Sequence, residues 1–421
     1  MTTRVDVAVV GAGAAGLAAA RTLRDRRVNF VLLEASHRIG GRGYTEEVAP
    51  GIPFDLGCHW LHSGSINPFA TIADRLGFDY TKEGFARRIR LDDRWASEAE
   101  QREYEAFMER SYDMTVAAAQ TGRDLSVAEA TPREDRWTPV FDYVTTLHHS
   151  VDADQVSVFD SYNYRDTGED WPVKQGYGAL IARYGADLPV SLNSAVRRID
   201  WSGRTIRLET AKGAVEAEKV ILTVSTGILG AGDIAFAPAL PVWKQAAIAA
   251  LPLGNHNRIC LVFDRNVFED FNGLGMTIMS ADSEPMSFRI RPFGYDTVVS
   301  VTGGRFADWL ERAGLEASAD LAKELLKKAF GNDITKHIVK HSVTAWRGDP
   351  WVKGAYSAAQ PGRGDQRAKL AEALDERLYF AGEATSLDSY ATAHGAYLSG
   401  IATAEAAAAA LGKEASVPAH S

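Results

Sequence analysis

The rhythm of hydrophobic and polar positions changes several times along the chain, and each change predicts an element. Val5-Asp6-Val7-Ala8-Val9-Val10 is apolar and β-branched, the pattern of a buried strand. It runs into Gly11-Ala12-Gly13-Ala14-Ala15-Gly16 and then into 17–23, a stretch of helical composition, with a second short strand at 30–33. From Phe69 to about Asp160 Arg, Glu, Asp and Ala dominate, and apolar residues recur at helical spacing, as in 98–119. No β-rich run is evident there, which predicts a helical insertion. Its charged stretches 86–90 and 133–136 are expected to be solvated faces that need no partner. A glycine-containing turn opening a helix is expected at 171–181, followed by short strands at 196–201, 205–209, 214–217 and 219–224. The runs 257–263, 275–280, 285–291 and 297–302, bounded by Gly, Asp and Pro, predict an antiparallel sheet. A helix at 318–330 puts Leu321, Leu325, Leu326 and Ala329 on one face, and a strand at 377–380 leads through a loop to a helix opening at Ala393. Low complexity is confined to 404–410, there is no internal repeat, and the tail from Gly412 is expected to be mobile.

The first forty-odd residues organise the rest. Strand, glycine turn, helix and strand make a βαβ unit in which Gly11 permits the turn, Gly13 lets backbone approach a pyrophosphate and Gly16 lets helix pack closely on strand. The helix N-terminus then offers free N–H groups and its positive dipole end to phosphates. Glu34, 18 residues past Gly16, ends the second strand where a carboxylate takes ribose hydroxyls and repels a 2′-phosphate. The alternative reading is a tight turn without a ligand.

Composition narrows the field. At 421 residues the chain exceeds what one hydrophobic core usually serves, so two domains are expected. A net charge of −9 gives no ground for nucleic-acid binding and allows a mild attraction for cations. The first strand begins at Val5, so no leader peptide is expected, and no run reaches the ~20 apolar residues of a membrane helix. Cys58 and Cys260 lie in unlike contexts without a CxxC or His/Cys cluster, which argues against a metal or disulfide framework and for a reducing cytoplasm.

Ala35-Ser36-His37-Arg38-Ile39-Gly40-Gly41-Arg42 resembles the RxGGR stretch that follows the first βαβ unit in FAD-dependent amine oxidases. Two guanidiniums there offer forked donors to phosphate oxygens, and paired glycines allow close approach. Within that family 53–62, with Asn67-Pro68 after it, is similar to the segment of polyamine oxidases that passes the flavin and enters the substrate tunnel. The resemblance implies that His59 and Trp60 wall the cofactor and that Trp60 and His62 meet substrate; by itself, a histidine beside a tryptophan is as well read as a core residue bonded to backbone. Val196 falls where the family holds adenine by backbone groups. Ala381-Gly382-Glu383, with the helix that opens at Ala393, resembles the family's second flavin motif, in which the glutamate holds the ribityl-pyrophosphate region and the helix dipole faces the flavin. Together these imply contacts to FAD from Gly11, Gly13, Ala14, Ala15, Gly16, Glu34, Ala35, Arg38, Gly41, Arg42, His59, Trp60, Val196, Gly382, Glu383 and Thr392.

Four positions depart from the family pattern. Ser225 stands where the crossover into the second domain carries proline. Arg258 stands where the family lysine reaches the flavin N5 through water, which opens the possibility of an acceptor other than oxygen. Ala355 replaces the covalent flavin cysteine of monoamine oxidases, implying noncovalent FAD. Of the two aromatics that sandwich the amine, Tyr356 is present and Thr392 takes the other place, which fits a long aliphatic amine better than a small aromatic one.

The resemblance therefore implies an α/β protein with a Rossmann-type FAD domain (1–68, 161–226 and 346–421) and a mixed antiparallel-sheet and helix substrate domain (69–160 and 227–345). The implied reaction oxidises the C–N bond of an aliphatic amine or polyamine to an imine, with Arg258, His62, Tyr356 and Thr392 nearest the reacting carbon. Water then releases aldehyde, and oxygen or another acceptor takes the electrons. A dehydrogenase, a C–C desaturase and a flavin-bound interaction module are the alternatives. Glu169 and Asp170 are candidates for meeting a second ammonium group. The amine, the side of cleavage and the oligomeric state are not legible in the sequence.

Overall fold

The computed structural model describes residues 3–84, 86–268, 271 and 273–412. Of the tail expected to be mobile from Gly412, residues 413 onwards lie outside them.

Strand Thr3–Val10 is central in an eight-stranded sheet. It runs parallel to Phe30–Leu33 on one side, with Val9 opposite Leu32, and to Gly213–Leu222 on the other, with Val9 opposite Ile221. All of Val7 to Val9 is fully buried, as a parallel strand covered on both faces must be. The runs at 214–217 and 219–224 form one strand, Gly213–Leu222. Its first half pairs antiparallel with Ile206–Thr210 and its last three residues pair parallel with Leu378–Phe380.

On one face, helix Ala14–Asp25 packs against the C-terminal helix Ala393–Ala409. The alanine-rich 404–410 stretch, which reads as low complexity, is this seam: Ala404, Ala407 and Ala408 are fully buried. A Cβ on Gly400 would stand 2.1 Å from the Ala15 carbonyl oxygen, so only glycine permits this approach.

The second sheet has seven strands in the order Ile338–Val343, His256–Phe263, Thr297–Gly303, Ser283–Ile290, Gly275–Ser280, Arg87–Leu91, Arg94–Trp95. Its core-side face carries Ile259, Leu261, Ile278, Phe288 and Val298 against helix Leu315–Phe330, through Ala322, Leu325 and Leu326. On the opposite face Arg258, Thr277, Ser287 and Val301 line a cavity together with Val10, Leu33 and Val196 of the first sheet. Helices Glu98–Gln120 and Thr138–His149 complete this half of the molecule. The Tyr143 hydroxyl at once donates to Val301 O at 2.8 Å and accepts from Ser287 N at 2.7 Å, which fixes the second of these helices on the sheet.

Two expectations are corrected. Residues 86–90 are no free charged face: Arg87–Leu91 is a strand, parallel to Gly275–Ser280, with Ile89 and Arg90 buried. The Arg90 guanidinium lies over the Trp95 and Phe330 rings, so the alternation was hidden because arginine took an inward position normally held by an apolar residue. The crossover after Leu222 is also later than position 227. Helix Thr226–Ala231 is followed by strand Ala235–Ala237, which pairs with Val196–Asp200 on the edge of the first sheet. Ser225 caps that helix by accepting from Ile228 N, and donates to Val352 O at 2.7 Å, a task proline could not perform.

Candidate active site

A cavity of about 1140 Å³ runs from the glycine turn, between the two sheets, to the inner face of the second sheet. That is larger than most single-ligand sites, and its two ends differ in chemistry.

The first end is built by the βαβ unit. Gly13 is the N-cap of helix Ala14–Asp25 with no side-chain cap and no acid in the first turn, and Gly13, Ala14 and Ala15 line the cavity. The helix end is thus left open for an anion from outside the chain. Gly11 has φ +103°, and a Cβ on Gly16 would stand 1.8 Å from the Gly11 carbonyl oxygen. Gly16 is therefore packing and does not line the space. Glu34 is buried and accepts from Ala12 N at 2.6 Å and Ser36 N at 2.8 Å. Burial raises its pKa, and these two N–H groups work against the rise. Ala35 and Val196 line the same end.

Arg38 donates to Gly41 O at 2.8 Å and lies 3.8 Å over the Tyr44 ring, which holds 38–44 as one loop along the cavity. Arg42 joins that loop to the C-terminal motif, donating to Ala355 O at 2.6 Å and to Glu383 at 2.9 Å. Glu383 also accepts from Ser357 N, Ser357 Oγ and Ala391 N. Burial pushes its pKa up, but Arg42, Arg367 and Ser357 outweigh that and hold the carboxyl below its ordinary value. Behind it, Arg367 forms a fully buried two-pronged pair with Asp160 at 2.6 and 2.8 Å and lies over the Tyr390 ring. Sequence reasoning missed Asp160, Ser357 and Arg367, which meet only through contacts between residues some two hundred positions apart.

Asp55 anchors the middle. It takes the N–H groups of Tyr177 and Gly178, opening helix Tyr177–Gly185 as expected, and the His59 Nδ1–H at 2.8 Å. His59 is pushed down to about 4, chiefly by burial and then by Arg258. It is therefore neutral at pH 7.

At the second end Trp60, His62, Arg258, Tyr356 and Thr392 come together on the cavity wall. His62 donates through Nδ1 to Asp170 at 2.6 Å, and its Nε2 has no hydrogen-bond partner among the described residues. For Asp170 burial acts to raise the pKa, but the His62 hydrogen bond and charge prevail and lower it. Glu169 faces elsewhere, accepting from Ser65 N and Thr167 Oγ1. Tyr356 donates its hydroxyl to Leu147 O, so its ring is fixed in place. The Thr392 hydroxyl caps the C-terminal helix, accepting from Gly395 N and donating to Ser389 O. Both hydrogen-bonding functions of this hydroxyl are thus used within the chain. Arg258 is 6 % exposed, and its Nε has no hydrogen-bond partner among the described residues. Burial lowers its pKa, with Asp55 acting in the other direction.

These residues fit a flavin dinucleotide: an uncapped helix end, a ribose-side acid, a loop of cations and glycines, and one continuous space leading to polar and aromatic groups. Among the described residues, no helix is long and apolar enough to cross a membrane.

Comparison with known proteins agrees. The family described as flavin containing amine oxidoreductase matches residues 14–408. Polyamine oxidase 4 of Oryza sativa subsp. japonica is 30% identical, over 95% of this chain and 88% of its own. Probable polyamine oxidase 4 of Arabidopsis thaliana is 29% identical over 95% and 86%. Lysine-specific histone demethylase 2 of Homo sapiens is 28% identical over 96% of this chain, which spans 53% of that protein. The fold of a putrescine oxidase bound to putrescine superimposes with a TM-score of 0.80 at 20% identity, covering 96% of this chain and 99% of that one. The chain belongs to the flavin-containing amine oxidoreductases, FAD-dependent enzymes that oxidise amines.

Proposed function

We propose that the chain binds FAD noncovalently and oxidises the carbon beside the nitrogen of an aliphatic amine, with oxygen as electron acceptor. The observation that carries this is the single cavity, which joins the dinucleotide motif to Trp60, His62 and Tyr356. FAD bound there would be held by the helix end at Gly13–Ala15, by Glu34 at the ribose and by Arg42, and would supply the site that accepts the hydride.

The protein's own part is positional. Trp60 and Tyr356 wall the space beside the substrate carbon. A deprotonated amine is required for oxidation, and the neutral His59 adds no positive charge beside the reacting carbon. The enclosed walls exclude bulk water from the reacting bond. The polyamine oxidases and putrescine oxidase among its relatives support an aliphatic substrate.

Arg258 favours a second reading, an amine dehydrogenase with an acceptor other than oxygen, because a guanidinium cannot exchange its proton at neutral pH as an amine can. Peroxide release separates the two. Stoichiometric peroxide from the FAD-loaded protein with an amine supports the oxidase. Amine-dependent reduction of an artificial dye without peroxide supports the dehydrogenase.

A further inference from the structure

Strand His256–Phe263 begins at the cavity, and its first residues divide between two environments. Asn257 turns away from the cavity: it donates to Glu311 at 2.8 Å and accepts from the Thr344 hydroxyl at 3.0 Å and from Trp346 N at 3.1 Å. Alternation then puts His256 on the other face with Arg258, and both line the cavity. Opposite His256 the neighbouring strand carries Gly303, where a Cβ would stand 2.5 Å from the Thr146 carbonyl oxygen, so the end of helix Thr138–His149 sits close to this position. The His256 ring lies 5.7 Å from that of Tyr356, tilted by 44°, a contact that holds its plane.

Other polar side chains on this wall are engaged within the chain. The Tyr356 hydroxyl donates to Leu147 O, the Thr392 hydroxyl to Ser389 O, and the Nδ1 atoms of His59 and His62 to Asp55 and Asp170. His256 differs. Among the described residues no other residue hydrogen-bonds its ring, which turns one N–H towards its own backbone carbonyl. The second ring nitrogen therefore keeps a lone pair for a group inside the cavity. Burial, and then the charge of Arg258, push the ring down to about 3, so that lone pair is not taken by a proton near neutral pH.

We propose that His256 accepts a hydrogen bond from the N–H of the substrate's reacting nitrogen and so restricts the site to primary and secondary amines bound as the free base. This rests on the reading of the site as an amine oxidase. A neutral acceptor favours ammonium far less than a carboxylate would, and by taking the N–H it leaves the amine's own lone pair free to assist loss of hydride from the neighbouring carbon. A tertiary amine has, as free base, no N–H to give. His256 is thus a specificity-determining residue that contacts the substrate.

The test uses FAD-loaded protein and two isomeric probes, hexanol and methyl pentyl ether, of which only the alcohol donates a hydrogen bond, titrated against the visible flavin spectrum. The alcohol is expected to bind about 2- to 10-fold tighter, the worth of one neutral hydrogen bond. His256→Phe keeps a ring against Tyr356 and removes the acceptor, so it should abolish the difference; His256→Gln restores an acceptor oxygen and should recover part of it. An amine that reduces the flavin anaerobically is then compared with its N,N-dimethyl derivative, both concentrations counted as free base. The N–H amine should react about tenfold faster or more, and the gap should narrow in His256→Phe. The N,N-dimethyl comparison needs no variant, so it decides even where His256→Phe fails to hold FAD. Equal binding of the two probes, a difference that persists in His256→Phe, or equally fast reduction by the N,N-dimethyl derivative overturns the inference even if amines are oxidised. A His256-dependent preference for the alcohol with no reduction by any amine upholds the acceptor and overturns the oxidase reading instead.

Discussion

Glu383→Gln removes one charge and keeps the shape, so its consequence follows from four hydrogen bonds. One carboxylate oxygen accepts from Arg42 at 2.9 Å and Ser357 N at 3.1 Å; the other accepts from Ser357 Oγ at 2.7 Å and Ala391 N at 3.0 Å. Glutamine offers one oxygen and one NH₂ group. With the oxygen towards Arg42, the NH₂ faces Ser357 Oγ, which can still accept, and the Ala391 N–H, which cannot. One bond is lost outright and the Arg42 pair loses its charge. At about 1.5–3 kcal/mol for each bond to a charged group in a buried setting, the loss is about 3–5 kcal/mol. The assay is equilibrium urea unfolding of the FAD-free protein near pH 7, followed by titration with FAD. Because Arg42 and Ala391 both line the cavity, FAD affinity should also fall about tenfold or more, or ~1.4 kcal/mol. A stability loss below about 1 kcal/mol together with unchanged FAD affinity would refute the claim that Glu383 ties the two halves of the site together.

Four further outcomes are expected. His149 and His394 are buried and pushed down to about 4, chiefly by burial, so they stay neutral when the unfolded chain takes up protons. Their contribution to stability is complete above pH ~6.5 and is lost as pH falls from there towards 4, by up to about 3 kcal/mol each; urea midpoints that stay constant between pH 7 and 4.5 would contradict this. Gly16→Ala puts a Cβ 1.8 Å from the Gly11 carbonyl oxygen, and the purified protein should lack flavin absorbance. In Arg258→Lys, reoxidation of the reduced flavin by oxygen should speed up about tenfold, ~1.4 kcal/mol of barrier, read by stopped flow. His62→Ala and Tyr356→Phe should each lower amine turnover; unchanged kcat and KM in both would remove these side chains from the reaction.

The dinucleotide half of the site was legible because its physics is local. A glycine that must turn, a glycine that must touch and an acid at the next strand end all fall within thirty residues, so spacing alone assembles them. The strands of the second sheet were legible by alternation, and three of the four runs, 257–263, 275–280 and 297–302, match the observed strands to within one residue at each end. Arg87–Leu91 was not legible, because its pairing partner lies nearly two hundred residues away and arginines mask its alternation. For the same reason the sequence could not bring Arg87 to Arg289: only the register across Gly275 does so. Thr392 and Tyr356 line the cavity, and the hydrogen bonds that engage their hydroxyls depend on backbone positions that no pattern reveals.

The most direct test of the central claim is anaerobic. FAD-loaded protein is mixed without oxygen with putrescine, spermidine, ornithine, lysine and simple monoamines, and the flavin absorbance near its visible maximum is followed. At least one aliphatic amine is expected to bleach the flavin, and bleaching is expected to slow in Tyr356→Phe. Full reduction by dithionite with no bleaching by any amine would contradict it.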